Sequence, residues 1–201
     1  MKIAGAALMT EKFEFRTLLR RGRFGAYTDL NAARRELAEV PDMPRGDFGD
    51  FGRGGMTVRR VTLTALLTAW DAGGDHFDDA GVIGWNGAGC AAETSNYWRD
   101  DLANGREAGR GGLFVATLPT IPYCEAAITL GCRGRVAYFR TAPSTRRLRE
   151  LLAAVPAGRY LCGEVSAATV AMVLADTRCP GAPLPDCPGL CELFRVLEAE
   201  A

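Results

Sequence analysis

Residues 127–143 read Ala-Ile-Thr-Leu-Gly-Cys-Arg-Gly-Arg-Val-Ala-Tyr-Phe-Arg-Thr-Ala-Pro. Gly131 closes a helix that residues 120–122 open with a capping threonine and an early proline. The run at 136–141 is rich in β-forming side chains and predicts a strand. Ser144 can then cap the next helix. This order of helix, strand and helix indicates an α/β protein.

The same alternation extends in both directions from this stretch. Short apolar runs predict a set of strands near residues 2–9, 80–85, 136–141, 160–165 and 170–174. Between them apolar residues recur at helical spacing, most clearly at Leu63, Leu66, Leu67 and Trp70. Residues 12–40 are expected to form one or two surface helices. The pattern predicts a mainly parallel five-stranded sheet with helices on both faces.

Two segments interrupt this pattern within what we expect to be a single domain, residues 1–201. Residues 41–56 are rich in glycine, but no apolar strand precedes them and no Gly-Lys-Ser/Thr follows. A flexible loop is therefore expected there, rather than a phosphate-binding loop. Residues 180–188 form a proline-rich link to a final helix with Leu190, Leu193, Phe194 and Leu197 on one face.

The composition is typical of a soluble globular protein, with 48% hydrophobic and 24% charged residues in 201 positions. Lys and Arg together number 24, as do Asp and Glu, so no net charge attracts the chain to nucleic acid or to an anionic membrane. Residues 1–9 are too short an apolar run for a signal peptide or a spanning helix. We therefore expect a cytoplasmic protein whose partners are neither nucleic acid nor membrane.

The seven cysteines are expected to be reduced thiols, because their number is odd and most lie in apolar runs. Only Cys179, Cys187 and Cys191 cluster enough to suggest a metal site, and their spacing matches no common zinc pattern. The first strand is not followed by Gly-x-Gly-x-x-Gly, which argues against a dinucleotide. No Gly-x-Ser-x-Gly elbow indicates an α/β-hydrolase. We expect neither metal nor cofactor.

Five segments resemble those of the β-ketoacyl synthases, in the same order. They are residues 2–10, Arg59-Arg60 with Asp71-Ala72-Gly73, and residues 80–85, 113–119 and 127–134. For example, Leu-Phe-Val-Ala-Thr-Leu-Pro at 113–119 is similar to the family's Phe-x-x-x-Leu-Pro-Asn stretch, although Thr120 replaces the asparagine. The resemblance implies the N-terminal half of a thiolase-like fold. It is strongest to the short, stand-alone chain length factors of aryl-polyene-type clusters.

The resemblance also implies that the catalytic groups are missing. Where the family has Ser/Thr-Ala-Cys, this chain has Thr141-Ala142-Pro143, and proline offers neither a nucleophile nor a backbone N–H. The family's catalytic histidine pair lies in a second half that has no counterpart here, and His76 is expected at the surface. A Claisen condensation needs a covalent acyl carrier and groups that stabilise an enolate. We therefore expect no catalytic residue and no condensing activity.

By the resemblance, the chain is a non-catalytic subunit that pairs with an active ketosynthase in fatty-acid or polyketide biosynthesis. Synthases of this fold join their sheets across a twofold axis through the strand before the nucleophile, here residues 136–141. The interface and acyl tunnel are then expected at Phe114, Tyr123, Val136, Tyr138, Phe139 and Thr141. A second copy would replace the ketosynthase when the chain is alone. An acyl carrier protein would dock mainly on the active partner.

Two alternatives remain open. Cys124 lies near an expected helix N-terminus, where a thiol pKa can be lowered, so the chain could be an acyl-transferring or hydrolysing enzyme. No histidine lies near it in the sequence to act as a base. The chain could also be a stand-alone binding module that retains only the fold of the family. A thiol-reactive acyl probe would distinguish the enzyme from the non-catalytic subunit.

Overall fold

The fold is taken from a computed structural model, which describes residues 1–20, 22–49, 51–74, 76–86, 90–105, 111–141, 144–166, 169–181 and 184–200. The strands are β1 (Lys2–Met9), β2 (Phe15–Thr17), β3 (Arg23–Phe24), β4 (Gly81–Trp85), β5 (Val136–Phe139), β6 (Arg159–Ser166) and β7 (Thr169–Asp176). The helices are α1 (Leu30–Leu37), α2 (Met56–Asp71), α3 (Ala91–Asn104), α4 (Gly111–Ala116), α5 (Ile121–Leu130), α6 (Thr145–Ala154) and α7 (Leu190–Glu200). Each of the five predicted strands is confirmed.

The strands form one sheet in the order β3-β2-β1-β7-β6-β4-β5. β4 is parallel to both β5 and β6, whereas all other neighbours in the described sheet are antiparallel. The α/β class is confirmed, but the sheet is mixed rather than mainly parallel and has seven strands rather than five.

Connection length explains the antiparallel part of the sheet. Only residues 167 and 168 separate β6 from β7, and so short a link can join antiparallel strands but not parallel ones. The two additional strands, β2 and β3, lie within residues 12–40, where only helices were expected. At three and two residues they are too short to show the alternation that identifies a strand.

Helices cover both faces of the sheet, as predicted. On one face, Leu63, Leu67 and Tyr123 of α2 and α5 belong to a large apolar core. On the other, α6 and α7 contribute Leu148 and Phe194 to a second core. The central helix α2 is buried along most of its length, because it packs against β1 and β7 of the sheet and against α5.

The end of α2 is tied to the first strand by the carboxylate of Asp71. Its oxygens accept hydrogen bonds from the backbone N–H groups of Ala6 (2.8 Å), Leu19 (2.8 Å) and Arg20 (2.7 Å). Gly5 permits the close approach, because a Cβ atom there would lie 2.6 Å from the carbonyl oxygen of Thr68. One buried carboxylate therefore fixes α2, β1 and the turn after β2 against one another.

Apart from Met56, which begins α2, the described residues of the glycine-rich segment form no helix or strand, but the segment is anchored to the core. Phe51 is buried, and the Nε of Arg59 donates to the carbonyl of Gly54 at 2.8 Å. The backbone N–H of Asp47 donates to Thr129 in α5. The segment is therefore an irregular loop that Phe51 anchors to the core, and its flexibility stays a prediction. Separately, no described helix is long and apolar enough to cross a membrane.

Candidate functional site

Three of the predicted interface residues, Val136, Tyr138 and Phe139, lie together on β5 at the edge of the sheet. Within the described chain β5 pairs with β4 alone, so its other side is open. Its four residues, Val136–Phe139, are all partly exposed. An open strand edge presents unpaired N–H and C=O groups that favour pairing with another chain.

The two aromatic side chains of β5 are held on opposite faces of the sheet. The Tyr138 hydroxyl donates to the carbonyl of Asn86 at 2.7 Å. On the other face, the ring of Phe139 stacks on Trp85 with centroids 6.0 Å apart. The open edge is therefore preorganised, because neither ring has to be ordered when a partner arrives.

Tyr123 does not lie on this surface, and its assignment to the interface or acyl tunnel stays a prediction. Only 1% of the residue is exposed. Its ring lies against Gly84 and Gly163, where Cβ atoms would approach it to 2.2 and 2.9 Å, and its hydroxyl donates to the Trp85 carbonyl at 2.9 Å. Burial raises the pKa of this phenol. Tyr123 instead packs against Tyr138 from the core, and the two ring centroids are 6.2 Å apart.

Phe114 lies on a separate apolar surface formed by α3 and α4. It is 53% exposed, and its ring centroid is 6.2 Å from that of Tyr97. The other large exposed apolar residues of these helices and the following turn are Trp98, Leu102, Leu113, Val115 and Leu118. This surface was not predicted beyond Phe114, because the large apolar residues of α3 are few and lie among polar and charged ones.

The position of the missing nucleophile follows β5. Thr141 is described, and its buried hydroxyl has no hydrogen-bond partner among the described residues. Pro143 lies outside the described residues. Ser144 caps α6 as predicted, accepting a hydrogen bond from the N–H of Arg147 at 3.1 Å. The segment 141–144 therefore joins the carboxyl end of a parallel strand to a helix N-terminus, a common location for ligand sites in α/β sheets.

Cys124 lacks the environment of an activated thiol. It lies in the first turn of α5 and is partly buried. Burial and the neighbouring Glu125 raise its pKa, which is the opposite of what a nucleophilic cysteine needs. His76 is exposed, as predicted. These observations do not favour the alternative of an enzyme that uses Cys124.

The three C-terminal cysteines differ in their surroundings. Cys179 is exposed, Cys187 is buried and Cys191 is partly buried. Burial raises the pKa of Cys191 to about 12, which opposes the thiolate form that binds metals. Among the described residues, no three His, Cys, Asp or Glu side chains could hold a metal ion together.

Glu164 is a buried acid that the sequence analysis overlooked. It lies on β6 opposite Trp85 of β4, and its carboxylate accepts hydrogen bonds from the backbone N–H groups of Leu190 and Cys191 at the start of α7. Burial raises the pKa of this carboxyl group. A single acid within the apolar run 160–165 was the available signal. Glu164 joins the sheet to the last helix.

This arrangement of sheet and helices defines a fold of the kind seen in ketosynthases and chain length factors. No family model and no curated protein matches the sequence. One similar solved structure is the ishigamide ketosynthase/chain length factor, with TM-score 0.56, 13% identity, and coverage of 92% of this chain and 64% of that one. Another is a ketosynthase (ApeO) in complex with its chain length factor (ApeC) from Xenorhabdus doucetiae, with TM-score 0.60, 12% identity, and coverage of 98% and 91%.

The chain thus spans less than two thirds of the ishigamide protein that it matches, but most of the matched chain from Xenorhabdus doucetiae. At these identities the similarity shows a shared fold. The resemblance to ketosynthase-like proteins predicted from the five sequence segments is confirmed at that level.

Proposed function

We propose that this chain is a non-catalytic, ketosynthase-like subunit of chain length factor type. It pairs with an active ketosynthase in fatty-acid or polyketide biosynthesis of the aryl-polyene kind. The observation that carries this proposal is the open, preorganised edge of β5 on a fold shared with a ketosynthase–chain length factor complex. An acyl carrier protein docks on the active partner, in the cytoplasm.

The lack of catalysis is part of the same proposal, and it rests on the sequence. Pro143 replaces the cysteine that the family resemblance places after Thr141-Ala142, and His76 is the one histidine in the chain. The raised pKa of Cys124 argues against a replacement nucleophile. The contribution of the chain is then to shape the partner's acyl tunnel, for which the surface of α3 and α4 around Phe114 is a candidate wall.

The test is co-expression with a ketosynthase from the same genome, followed by capture on a tag carried by this chain. We expect the ketosynthase to be captured by the wild type and lost with Tyr138→Asp. Burying an unpaired charge costs at least several kcal/mol, so the affinity should fall by at least about a hundredfold.

Tyr138→Phe is the matched control, since it removes only the hydrogen bond to Asn86 and adds no charge. It should retain the partner. Capture of the ketosynthase by Tyr138→Asp at wild-type levels would show that the interface is elsewhere. No capture by the wild type would favour a stand-alone binding module.

Catalysis is tested separately on the purified chain, with acyl and malonyl carrier proteins analysed by mass spectrometry. We expect no condensed product from the wild type, and none from Pro143→Cys, because the histidine pair is absent. A condensed product from the wild-type chain would overturn the assignment as a non-catalytic subunit.

A further inference from the structure

A small cavity of about 80 Å³ lies where the glycine-rich segment meets α2 and α5. Four residues with side-chain oxygens line it: Asp47 from the segment, Thr62 from α2, and Glu125 and Thr129 from α5. No lysine or arginine is among the described residues of its walls. One water needs about 10–15 Å³ of such space, so the cavity has room for a small polar ligand with water around it.

The hydroxyl of Thr62 indicates that the cavity has a ligand. Thr62 is only 2% exposed, and its Oγ1 has no hydrogen-bond partner among the described residues. The other two buried threonines of α2, Thr64 and Thr68, each donate to a carbonyl four residues earlier at 2.8 Å. Buried polar groups nearly always have a partner, which can be an ordered water or an ion. The Thr62 hydroxyl is therefore available to a ligand in the cavity that this residue lines.

The carboxylate of Asp47 is held at the exposed rim of the same cavity. The backbone N–H of Asp47 donates to the carbonyl of Thr129 at 3.0 Å, and its Oδ1 accepts from the N–H of Gly49 at 2.9 Å. Gly46 allows this close approach, because a Cβ atom there would lie 2.7 Å from the Cγ2 of Thr129. Within the described chain, the second oxygen of Asp47, Oδ2, accepts no hydrogen bond and is available to a ligand.

Two arginines lie near the cavity without forming its walls. The guanidinium groups of Arg34 and Arg59 lie over the ring of Phe51, 5.7 and 5.9 Å from its centroid. The Nε of Arg59 also donates to the carbonyl of Gly54. Neither arginine lines the cavity, whose described walls contain two acidic residues and no basic one. A positively charged ligand therefore fits this cavity better than an anion.

We propose that the cavity binds a hydrated divalent cation of the Mg²⁺ class. Carboxylate, hydroxyl and water oxygens are the ligands that hard cations prefer. Mg²⁺ usually keeps several waters and is held by one or two carboxylates, here those of Asp47 and Glu125. The Thr62 hydroxyl contributes a third protein oxygen. The bound ion links the glycine-rich segment to α2 and α5.

This site differs from the sequence-based expectation of no metal, which rested on the spacing of the cysteines. Asp47 and Glu125 are far apart in the chain, so no local spacing of residues reveals them as a pair. The inference goes beyond the proposed function, because it assigns an ion that stabilises the fold and takes no part in pairing with a ketosynthase.

The experiment measures thermal unfolding of the full chain by circular dichroism, after treatment with EDTA and then with added MgCl₂. With a Kd of about 1 mM, as in weak sites for divalent cations, about 10 mM MgCl₂ stabilises the fold roughly tenfold and raises the Tm by about 3–6 °C. NaCl at the same ionic strength is the control for screening of surface charges and should raise the Tm by less. Isothermal titration with MgCl₂ should show one site.

Three variants locate the ion. Asp47→Asn and Thr62→Val should each lose most of the response to MgCl₂, because each removes one ligand with little change of shape. In EDTA, Thr62→Val should unfold at or above the wild-type Tm, because valine replaces a hydroxyl without a partner. Asp29→Asn is the matched control, since the Oδ1 of Asp29 also accepts from backbone N–H groups but lies outside the cavity. It should respond to MgCl₂ as the wild type does.

A wild-type Tm that rises no more in MgCl₂ than in NaCl would overturn the proposal. The same conclusion would follow if Asp47→Asn and Thr62→Val responded to MgCl₂ as fully as Asp29→Asn. A lower Tm for Thr62→Val than for the wild type in EDTA would show that the hydroxyl has a partner within the protein, which also contradicts the site. None of these results affects the capture of a ketosynthase, so the proposed function would stand.

Discussion

Replacing Asp71 by Asn should destabilise the fold strongly, although the two side chains have nearly the same shape. The Asp71 carboxylate accepts from three backbone N–H groups, and the contact with Ala6 is fully buried. Asparagine keeps one carbonyl oxygen and turns an NH₂ group toward these donors. At least one N–H then loses its acceptor, and the remaining hydrogen bonds lose their charge.

The magnitude follows from these contacts. An unsatisfied buried N–H costs about 1–3 kcal/mol, and hydrogen bonds to a charged acceptor are worth about 1.5–3 kcal/mol rather than about 1. We therefore expect Asp71→Asn to lower the free energy of unfolding by roughly 3–5 kcal/mol. For a chain of this size that corresponds to a Tm lower by roughly 6–20 °C.

Asp29→Asn is the matched control for this measurement. Asp29 also accepts from two backbone N–H groups, at 2.7 and 2.8 Å, but as the exposed N-cap of α1. Asparagine is an equally good N-cap, so this variant should unfold close to the wild type. Urea denaturation followed by circular dichroism gives both values. Equal losses in the two variants would refute the role assigned to Asp71.

Two further predictions concern buried titratable groups. Burial raises the pKa of Glu164 above its ordinary value of 4.5, so the folded state loses stability relative to the unfolded state as pH rises through that higher pKa. Glu164→Gln removes this loss, because glutamine does not ionise. The Tm of the variant minus the Tm of the wild type should therefore increase from pH 4 to pH 8. A Tm difference that does not change with pH would contradict this prediction. Cys124 should react with iodoacetamide at pH 7 more slowly than the exposed Cys179, because its pKa is raised and it is partly buried. Peptide mass mapping measures both rates, and faster labelling of Cys124 would revive the alternative of a cysteine-dependent enzyme.

The positions of the five main strands could be predicted because each is a compact apolar run between turn residues. Their directions could not be read from the same signal, since a strand buried on both faces shows no alternation. The two-residue link between β6 and β7 did contain the information. A link of this length requires an antiparallel pair.

The sequence predicted the site residues that lie on a single strand. It did not predict which residues become buried when separate helices and strands pack together. Val136, Tyr138 and Phe139 share an edge because they are neighbours in sequence. Tyr123 appeared equivalent to them as an aromatic residue near the site. Its burial depends on Gly84 and Gly163, which lie side by side in the sheet but far apart in the chain. No local sequence pattern reveals that two distant glycines make room for a buried ring.

The position of β1 in the middle of the sheet has a consequence for synthesis on the ribosome. β1 (residues 2–9) pairs on one side with β2 and on the other side with β7. In the pair with β7, Lys2 lies opposite Asp176 and Met9 lies opposite Val170. Because translation adds roughly 5–20 residues per second, β7 is synthesised on the order of ten seconds after β1. During this interval its apolar face depends on the hairpin with β2 and on α2. Ribosome pausing before residue 170 would therefore prolong the exposure of β1 and increase the demand for chaperones.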